Sequence, residues 1–167
     1  MLNDLPTFID PSQLAHSHHR LTGQVALAQM TRIHDRLSDI QGDVLIDWQF
    51  GIDDKHRTKI DGYIKTQFIM LCMRCMQPMS WTIDAKTALI LLKDGQSSDD
   101  IPDDYEGISL TITPISLTSL IEDELILALP LVARHTVCPS NEYVLSENVT
   151  EPLTPSNPFH ILSELKK

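Results

Sequence analysis

The sequence predicts an α+β fold in which an antiparallel meander sheet of three or more long strands packs with two main helices. Two observations predict it: apolar residues recur at every second position through the middle of the chain, and at helical spacing on either side. In addition, the length of 167 residues suits one domain, and no internal repeat is visible. We therefore expect a single domain over residues 1–167.

The strands are predicted from a period of two. Apolar and polar side chains alternate from Asp43 to Asp53, which is the pattern of a half-buried strand. The alternation resumes after the polar turn at 53–56, and again after 72–78. We therefore expect three long antiparallel strands in series.

The helices are predicted from apolar spacing and from capping residues. A short helix is expected from Pro11, where Asp10 can cap it. A second helix should begin near Ser116, and Pro130 helps to end it. A further amphipathic helix is predicted over 24–38. Its apolar face would consist of Leu27, Met30, Ile33 and Leu37.

Two segments read as irregular. Residues 94–107 carry six acids and few apolar groups, so we expect an exposed acidic loop. Residues 139–158 are rich in Pro, Asn, Ser and Glu, and we expect an irregular tail segment there. One or two turns of helix are expected from Phe159 onward.

Charge and hydropathy exclude some functional classes. The net charge of −10 opposes unspecific attraction to nucleic acid. The apolar runs are shorter than the roughly 20 residues that a membrane-spanning helix needs. The first six residues lack the basic and apolar parts of a secretory signal, so we expect a cytoplasmic protein.

The charge is nevertheless unevenly distributed. Residues 55–93 hold seven basic residues and two acids, a local surplus of five positive charges. A sheet face that presents these cations, with Tyr63 among them, can contact phosphate groups. The alternative is a solvated face balanced by the nearby Asp61 and Asp84. The candidate cations are Arg57, Lys59 and Lys65 on one strand and Lys86 on the next.

A cysteine pair is the strongest local signal for chemistry. Cys72 and Cys75 lie where two strands must reverse, and His135 and Cys138 follow the last long helix. Two thiolates at this spacing can chelate one ion, and a His with a third Cys completes the tetrahedral shell of structural zinc. The alternatives are a small buried residue with a turn residue, and a dithiol redox pair. A redox pair typically sits at a helix N-terminus after a parallel strand, which the predicted hairpin does not provide.

Other polar clusters have a plainer interpretation beside the functional one. His16, His18 and His19 could bind a transition metal, but exposed loop histidines are commoner. The run from Glu122 to Glu124 could supply carboxylates for acid–base work, but adjacent residues of a helix point in different directions, so a solvated, partner-facing ridge is the preferred interpretation. No phosphate-binding loop and no hydrolase motif is visible, so we predict no catalytic residue and no enzyme.

Several parts of the sequence together resemble one bacterial family. They are the turn from Cys72 to Cys75 followed by Pro78, the stretch from Glu122 to Val132 with His135 and Cys138 after it, and the ending from Asn157 to Lys167. In this order and at matching length they resemble the YceD family, the large ribosomal RNA subunit accumulation proteins, along nearly the whole chain. The family pattern falls on Cys72, Arg74, Cys75, Glu122, Asp123, Glu124, Pro130, His135 and Cys138.

The resemblance implies a cytoplasmic, non-enzymatic factor that supports the processing or accumulation of 23S ribosomal RNA. The partners it implies are ribosomal RNA or its precursors and ribosomal or rRNA-processing proteins. Complementary charge would steer either encounter, with basic proteins on the acidic surfaces and RNA on the basic segment. The alternative function is a thiol-disulfide oxidoreductase using Cys72 and Cys75, and a nuclease is the least favoured. The candidate RNA- or partner-binding residues are Arg57, Lys59, Lys65, Arg74, Lys86, Glu122 and Asp123.

Overall fold

The main element of the structure, a computed structural model, is a six-stranded mixed sheet. The structure describes residues 3–93, 96, 98, 100–110 and 113–139. The strands of this sheet are β1 (Asn3–Asp4), β3 (Arg20–Ala26), β4 (Asp43–Ile52), β5 (Thr58–Leu71), β6 (Pro78–Leu92) and β7 (Glu106–Ser109). A small second sheet pairs β2 (Phe8–Ile9) with β8 (Ile115–Ser116). The helices are α1 (Pro11–His16) and α2 (Leu117–Ala128). The predicted α+β class is confirmed.

The strand pairing differs from a purely antiparallel meander. The order in the sheet is β1-β3-β4-β5-β6-β7, and β3 to β6 pair antiparallel with their neighbours. The two edge strands, β1 and β7, pair in parallel with β3 and β6. The expectation of an antiparallel sheet is therefore wrong at the edges. The edge strands are short, and longer connections join them to the sheet, which permits parallel pairing.

The core lies on one face of the sheet. Ile46 pairs with Ile64, and Ile64 pairs with Ala85, so aligned side chains from three strands point to the same side. Phe50, Ile60 and Leu89 form a second such row. α1 packs against β4 and β5, and α2 against β6, which covers this face. The alternation read from the sequence is the alternation of the pleat.

The prediction of an amphipathic α-helix over 24–38 is wrong. The first residues of this range belong to β3, and two 3-10 helical turns follow, Leu27–Gln29 and Thr31–Arg36. Leu27, Met30 and Ile33 are fully buried, as predicted. Their spacing of three residues is the period of a 3-10 helix, which is the reason that these residues are buried without an α-helix.

The other two helices follow their capping signals. The Asp10 side chain accepts hydrogen bonds from the N–H groups of Ser12 and Gln13 at the start of α1. The Ser116 hydroxyl accepts from the Ser119 N–H at the start of α2, and the helix ends at Ala128, two residues before Pro130. No helix among the described residues is both long and apolar enough to cross a bilayer.

The long hairpin of β5 and β6 has two different ends. One end carries the turn from Cys72 to Gln77. At the other end the described part of 94–107 folds back on the sheet, where the Tyr105 hydroxyl donates to Asp61 at 2.6 Å and Lys55 pairs with Asp100 at 3.0 Å. β7 begins inside the predicted loop, at Glu106. Of the predicted tail 139–158 only Pro139 is described, and the helical turns expected from Phe159 lie outside the described residues.

Candidate metal centre

The hairpin turn between β5 and β6 and the segment after α2 meet at one end of the sheet. The turn is closed by hydrogen bonds from the Cys72 N–H to the Gln77 carbonyl, at 3.0 Å, and from the Met76 N–H to the Cys72 carbonyl, at 2.9 Å. The Met73 N–H donates to the Ala133 carbonyl at 2.8 Å, which fastens the second segment to the turn. This contact explains how distant parts of the chain reach the same place.

Four side chains predicted as zinc ligands converge here. One sulfur or nitrogen atom from each of Cys72, Cys75, His135 and Cys138 lies within 4.8 Å of every other. The Sγ atoms of Cys72 and Cys138 are 3.8 Å apart, and Cys75 Sγ lies 3.4 Å from His135 Nδ1. All three cysteines are free thiols. Cys72 is fully buried and Cys75 is 3% exposed.

This arrangement fits a tetrahedral zinc ion. Zinc–sulfur bonds of about 2.3 Å imply a separation of about 3.8 Å between two sulfur ligands, and a sulfur–nitrogen pair needs about 3.5 Å. The distances between Cys72 and Cys138 and between Cys75 and His135 match these two values. Three thiolates and one imidazole are also ligands that zinc prefers.

The polar surroundings of the thiols favour metal binding at Cys72. Burial opposes ionisation of Cys72, but hydrogen bonds from backbone N–H groups of Cys75, His135 and Arg74 outweigh it and lower its pKa to about 5. The His135 N–H lies 3.4 Å from Cys72 Sγ. Burial raises the pKa of Cys75. A thiolate at Cys72 is the form that binds a metal ion.

Arg74 is part of the cluster as well as of the turn. Its Nε donates to Cys138 Sγ at 2.9 Å, and its Nη2 donates to the His135 carbonyl at 3.4 Å. The hydrogen bond to Cys138 raises the pKa of the guanidinium. Arg74 therefore lies at the turn, as the sequence predicts, but part of its donor capacity is used to hold the segment after α2.

Three of the four predicted sheet cations share the solvent face of the sheet. Tyr63 pairs with Lys86 across β5 and β6. Lys65 forms an ion pair with Asp84 at 2.9 Å, and Lys59 forms one with Asp61 at 3.2 Å. The two acids named in the alternative interpretation therefore balance two of the cations. No described carboxylate pairs with Lys86 within 4 Å.

Arg57 departs from the expectation. Its side chain is 6% exposed, and its Nε donates to Asp53 at 2.7 Å. Burial opposes ionisation of Asp53, but hydrogen bonds from the Arg57 backbone and guanidinium outweigh it and hold the pKa of Asp53 below its usual value. Arg57 stabilises the turn before β5 and is not available to phosphate.

The acidic run of α2 does not form a partner-facing ridge. Glu122 is 4% exposed and accepts hydrogen bonds from the N–H groups of Arg32 and Ile33. Asp123 forms an ion pair with the Arg32 guanidinium. Burial raises the pKa of Glu124, which is half-buried. Glu122 and Asp123 therefore attach α2 to the second 3-10 turn, a role that the sequence did not suggest because both partners are remote.

The histidines near the N-terminus stay apart from any metal-binding group that the described residues form. His16, His18 and His19 are exposed, and His16 Nδ1 lies 2.7 Å from the Ser12 carbonyl within α1. The preferred interpretation is right that all three are exposed, but His16 is the last residue of α1 and not a loop residue. Sequence reasoning also missed the bidentate pair of Arg20 with Asp47, at 2.7 and 2.6 Å on the solvent face, because it depends on the register of β3 and β4.

Comparisons with known proteins agree with one another. The family model of the large ribosomal RNA subunit accumulation protein YceD matches residues 60–166. A relative from Haemophilus influenzae, named large ribosomal RNA subunit accumulation protein YceD, is 28% identical over 168 residues, covering 98% of this chain and 97% of the relative. No solved structure matches the chain. The family match includes both halves of the metal-ligand cluster and the acidic run of α2, and the chain therefore belongs to the YceD family.

Proposed function

We propose that this protein is a non-enzymatic factor in ribosome biogenesis that supports the accumulation of large-subunit ribosomal RNA by binding. The observation that carries the proposal is the match over nearly the full length of a relative whose name states this role. We propose cytoplasmic ribosomal RNA, its precursors or a protein that processes them as the partner. The charge distribution supports RNA contact at one restricted surface, because the chain as a whole carries a net charge of −10.

The surface best suited to RNA is the solvent face of the sheet around Tyr63. A shallow groove of about 290 Å³ lies there, lined by Arg20, Asp47, Gln49, Asp61, Gly62, Tyr63 and Lys86. Tyr63 is 52% exposed and can stack with an unpaired base, and the ammonium of Lys86 can contact a phosphate. Lys65 and Lys59 flank this position on β5. Arg57 is buried and does not belong to this surface.

The Cys3His cluster is proposed as a structural zinc site. A bound zinc ion would supply a tetrahedral cross-link between the hairpin turn and the segment after α2. Cys72 and Cys75 would hold it from the turn, and His135 and Cys138 from that segment. Arg74 would offset the negative charge of three thiolates around one divalent ion, since it already donates to Cys138.

A thiol-disulfide oxidoreductase is not favoured. Such an enzyme needs one sulfur that a protein disulfide can reach. Cys72 and Cys75 are both buried, and they lie in a β-hairpin turn. The lowered pKa of Cys72 is equally expected of a metal ligand.

The test of the function is the ratio of 23S to 16S ribosomal RNA in cells of the source organism with and without this protein, with precursor ends mapped. We expect 23S to fall in its absence and to recover with the intact chain. A chain carrying Tyr63→Ser and Lys86→Ala should restore it poorly. The matched control is Thr82→Ala, an exposed change on the same face of β6. An unchanged ratio without the protein would contradict the proposed function, and full rescue by the double variant would contradict the proposed RNA surface.

A further inference from the structure

The end of the molecule that holds the Cys3His cluster is unusually apolar on its outside. Five side chains around the cluster are between 50 and 95% exposed. We call this surface the apolar tip, and it consists of Met73 and Met76 in the hairpin turn and Leu131, Val132 and Val137 after α2. Clustered exposed apolar residues mark a binding surface more often than isolated ones do.

The apolar tip is one surface, because its two segments are bound to each other. Met73 donates its N–H to the Ala133 carbonyl, and Arg74 reaches the His135 carbonyl. Cys72 and Cys138 are in contact beneath. Residues 73, 76, 131, 132 and 137 therefore belong to two segments that contact each other at the cluster.

The composition of the tip indicates a polypeptide as the occupant. Residues 71–79 and 129–139 contain two arginines, Arg74 and Arg134, but no lysine, no acid and no Phe, Tyr or Trp. Methionine and arginine are enriched at the centres of protein interfaces, where Lys, Asp and Glu are depleted. Single-stranded RNA sites instead combine basic grooves with aromatic platforms. The complementary occupant is an apolar segment that carries carboxylates.

Such a segment begins at the tip itself. The chain continues from Pro139, next to Cys138, and residues 140–167 contain four glutamates and two lysines, both at the end of the chain. This segment also carries an apolar group at its far end: Phe159, Ile161, Leu162 and Leu165. The 19 residues from Ser140 to Pro158 can span up to about 60 Å when extended, at roughly 3.3 Å per residue, so the group can reach back to the tip. The family match runs to residue 166, so tip and segment belong to the same family unit.

We propose that the C-terminal segment of this chain binds the apolar tip in the same molecule, with Phe159, Leu162 and Leu165 on the methyl groups of Leu131, Val132 and Val137. The glutamates of the segment complement the exposed Arg134. Because the segment is tethered, its effective concentration at the tip is high, on the order of millimolar. This inference concerns a different surface from the proposed RNA groove and does not depend on it.

Nuclear magnetic resonance of the full chain tests the proposal. We expect nuclear Overhauser effects between the Phe159 ring and the methyl groups of Leu131, Val132 and Val137. The effects at Val132, which stays in place, should be lost in the full chain with Leu131→Ser and Val137→Ser, two exposed changes that leave the core intact. They should also be lost with Leu162→Ser and Leu165→Ser, and kept with Phe8→Ser, which alters an exposed apolar residue on β2.

Three results would overturn the proposal. Random-coil chemical shifts for residues 159–165, without contacts to the tip, would mean that the segment does not bind the tip and that a separate protein is the occupant. Effects seen only between differently labelled molecules in a mixed sample would assign the tip to a second copy of the chain. Effects at Val132 that are unaltered by the Leu131 and Val137 changes would mean that these two residues do not bind the segment.

Discussion

At the scale of single residues, His135 decides whether the cluster can hold zinc. It is the one nitrogen ligand, and its Nδ1 lies 3.4 Å from Cys75 Sγ. We expect about one zinc per chain in protein purified without a histidine tag, and a large loss of metal in His135→Ala or Cys138→Ser. Loss of one of four ligands weakens a structural site by several kcal/mol. The measurement is elemental analysis with a colorimetric zinc-release assay.

The control for this prediction is His19→Ala, which removes an exposed histidine outside the cluster. It should retain the full zinc content. Wild-type protein that is folded yet metal-free after growth and purification in zinc would contradict the zinc assignment, and the membership in the YceD family would stand.

The role of Glu122 in the structure differs from the predicted one more than that of any other residue discussed. Glu122 is buried, and its carboxylate accepts from two backbone N–H groups of the second 3-10 turn. We expect Glu122→Ala to lower the free energy of unfolding by about 1–3 kcal/mol, because two buried donors lose their acceptor. Urea denaturation measures it. Asp123→Ala removes only an exposed ion pair with Arg32 and should cost about 1 kcal/mol or less. Equal effects of the two substitutions would contradict a special role for Glu122.

At the scale of elements, the contact of β4 with β5 depends on Gly62. It lies opposite Trp48, and a Cβ at this position would come within 2.0 Å of the Asp47 carbonyl oxygen and 2.8 Å of the Trp48 ring. Backbone cannot move aside as a side chain can, so we expect Gly62→Ala to destabilise the protein by about 3 kcal/mol or more, or to prevent folding. The measurement is the midpoint of thermal or urea unfolding.

Gly51→Ala is the matched control for Gly62. It also lies in the β4–β5 pair, but its Cβ would meet only the flexible Lys59 side chain, at 3.3 Å. We expect a change within about 1 kcal/mol, because Lys59 can adjust its rotamer. A comparable loss of stability in both variants would mean that the close approach at Gly62 is not the cause.

The same scale shows how far local patterns predict elements. The strands from Asp43 onward and α2 form where the sequence predicts them, because their signals act within a few residues. These signals are the alternation of apolar side chains for the strands, and Ser116 and Pro130 for α2. The segment at 27–36 does not, because an apolar spacing of three suits both a 3-10 and an α-helix. There the structure adds a tertiary contact, since Glu122 takes up backbone N–H groups at the start of the second turn.

At the scale of the whole molecule, acid should destabilise the fold, and protonation of Asp53 should account for part of this loss. Its pKa is lowered in the folded state, so the folded chain binds fewer protons there than the unfolded chain. The resulting stability is present above the unfolded carboxyl pKa of about 3.9 and is lost as pH falls through the lower folded value. We expect the contribution of Asp53 to the melting temperature to change little between pH 7 and about pH 5. Below about pH 4 this contribution should be lost and the melting temperature should decrease.

Asp53→Asn separates this effect from the release of a metal ion by acid. The variant should be less stable at pH 7, by about 1–3 kcal/mol, because Arg57 remains buried beside a neutral amide. Its loss of stability between pH 5 and 3 should be smaller than in the wild type. Asp54→Asn, an exposed change in the same turn, should keep the wild-type profile. An unchanged acid profile in Asp53→Asn would contradict the assignment.

Sequence by itself determined the parts of this protein that arise from local chemistry. Side-chain period defined the three long strands, and capping residues defined α1 and α2. The Cys72–x–x–Cys75 and His135–x–x–Cys138 spacings indicated the metal centre. Only the tertiary structure decided which charges are free. Arg57 and Glu122 looked like surface groups, yet both are buried on partners, whereas Lys86 remained on the solvent face. The reason is that ion pairing depends on strand register and on contacts between residues far apart in the chain. The metal-ligand cluster depends on such contacts too, since Cys72 and Cys138 are 66 positions apart and in contact.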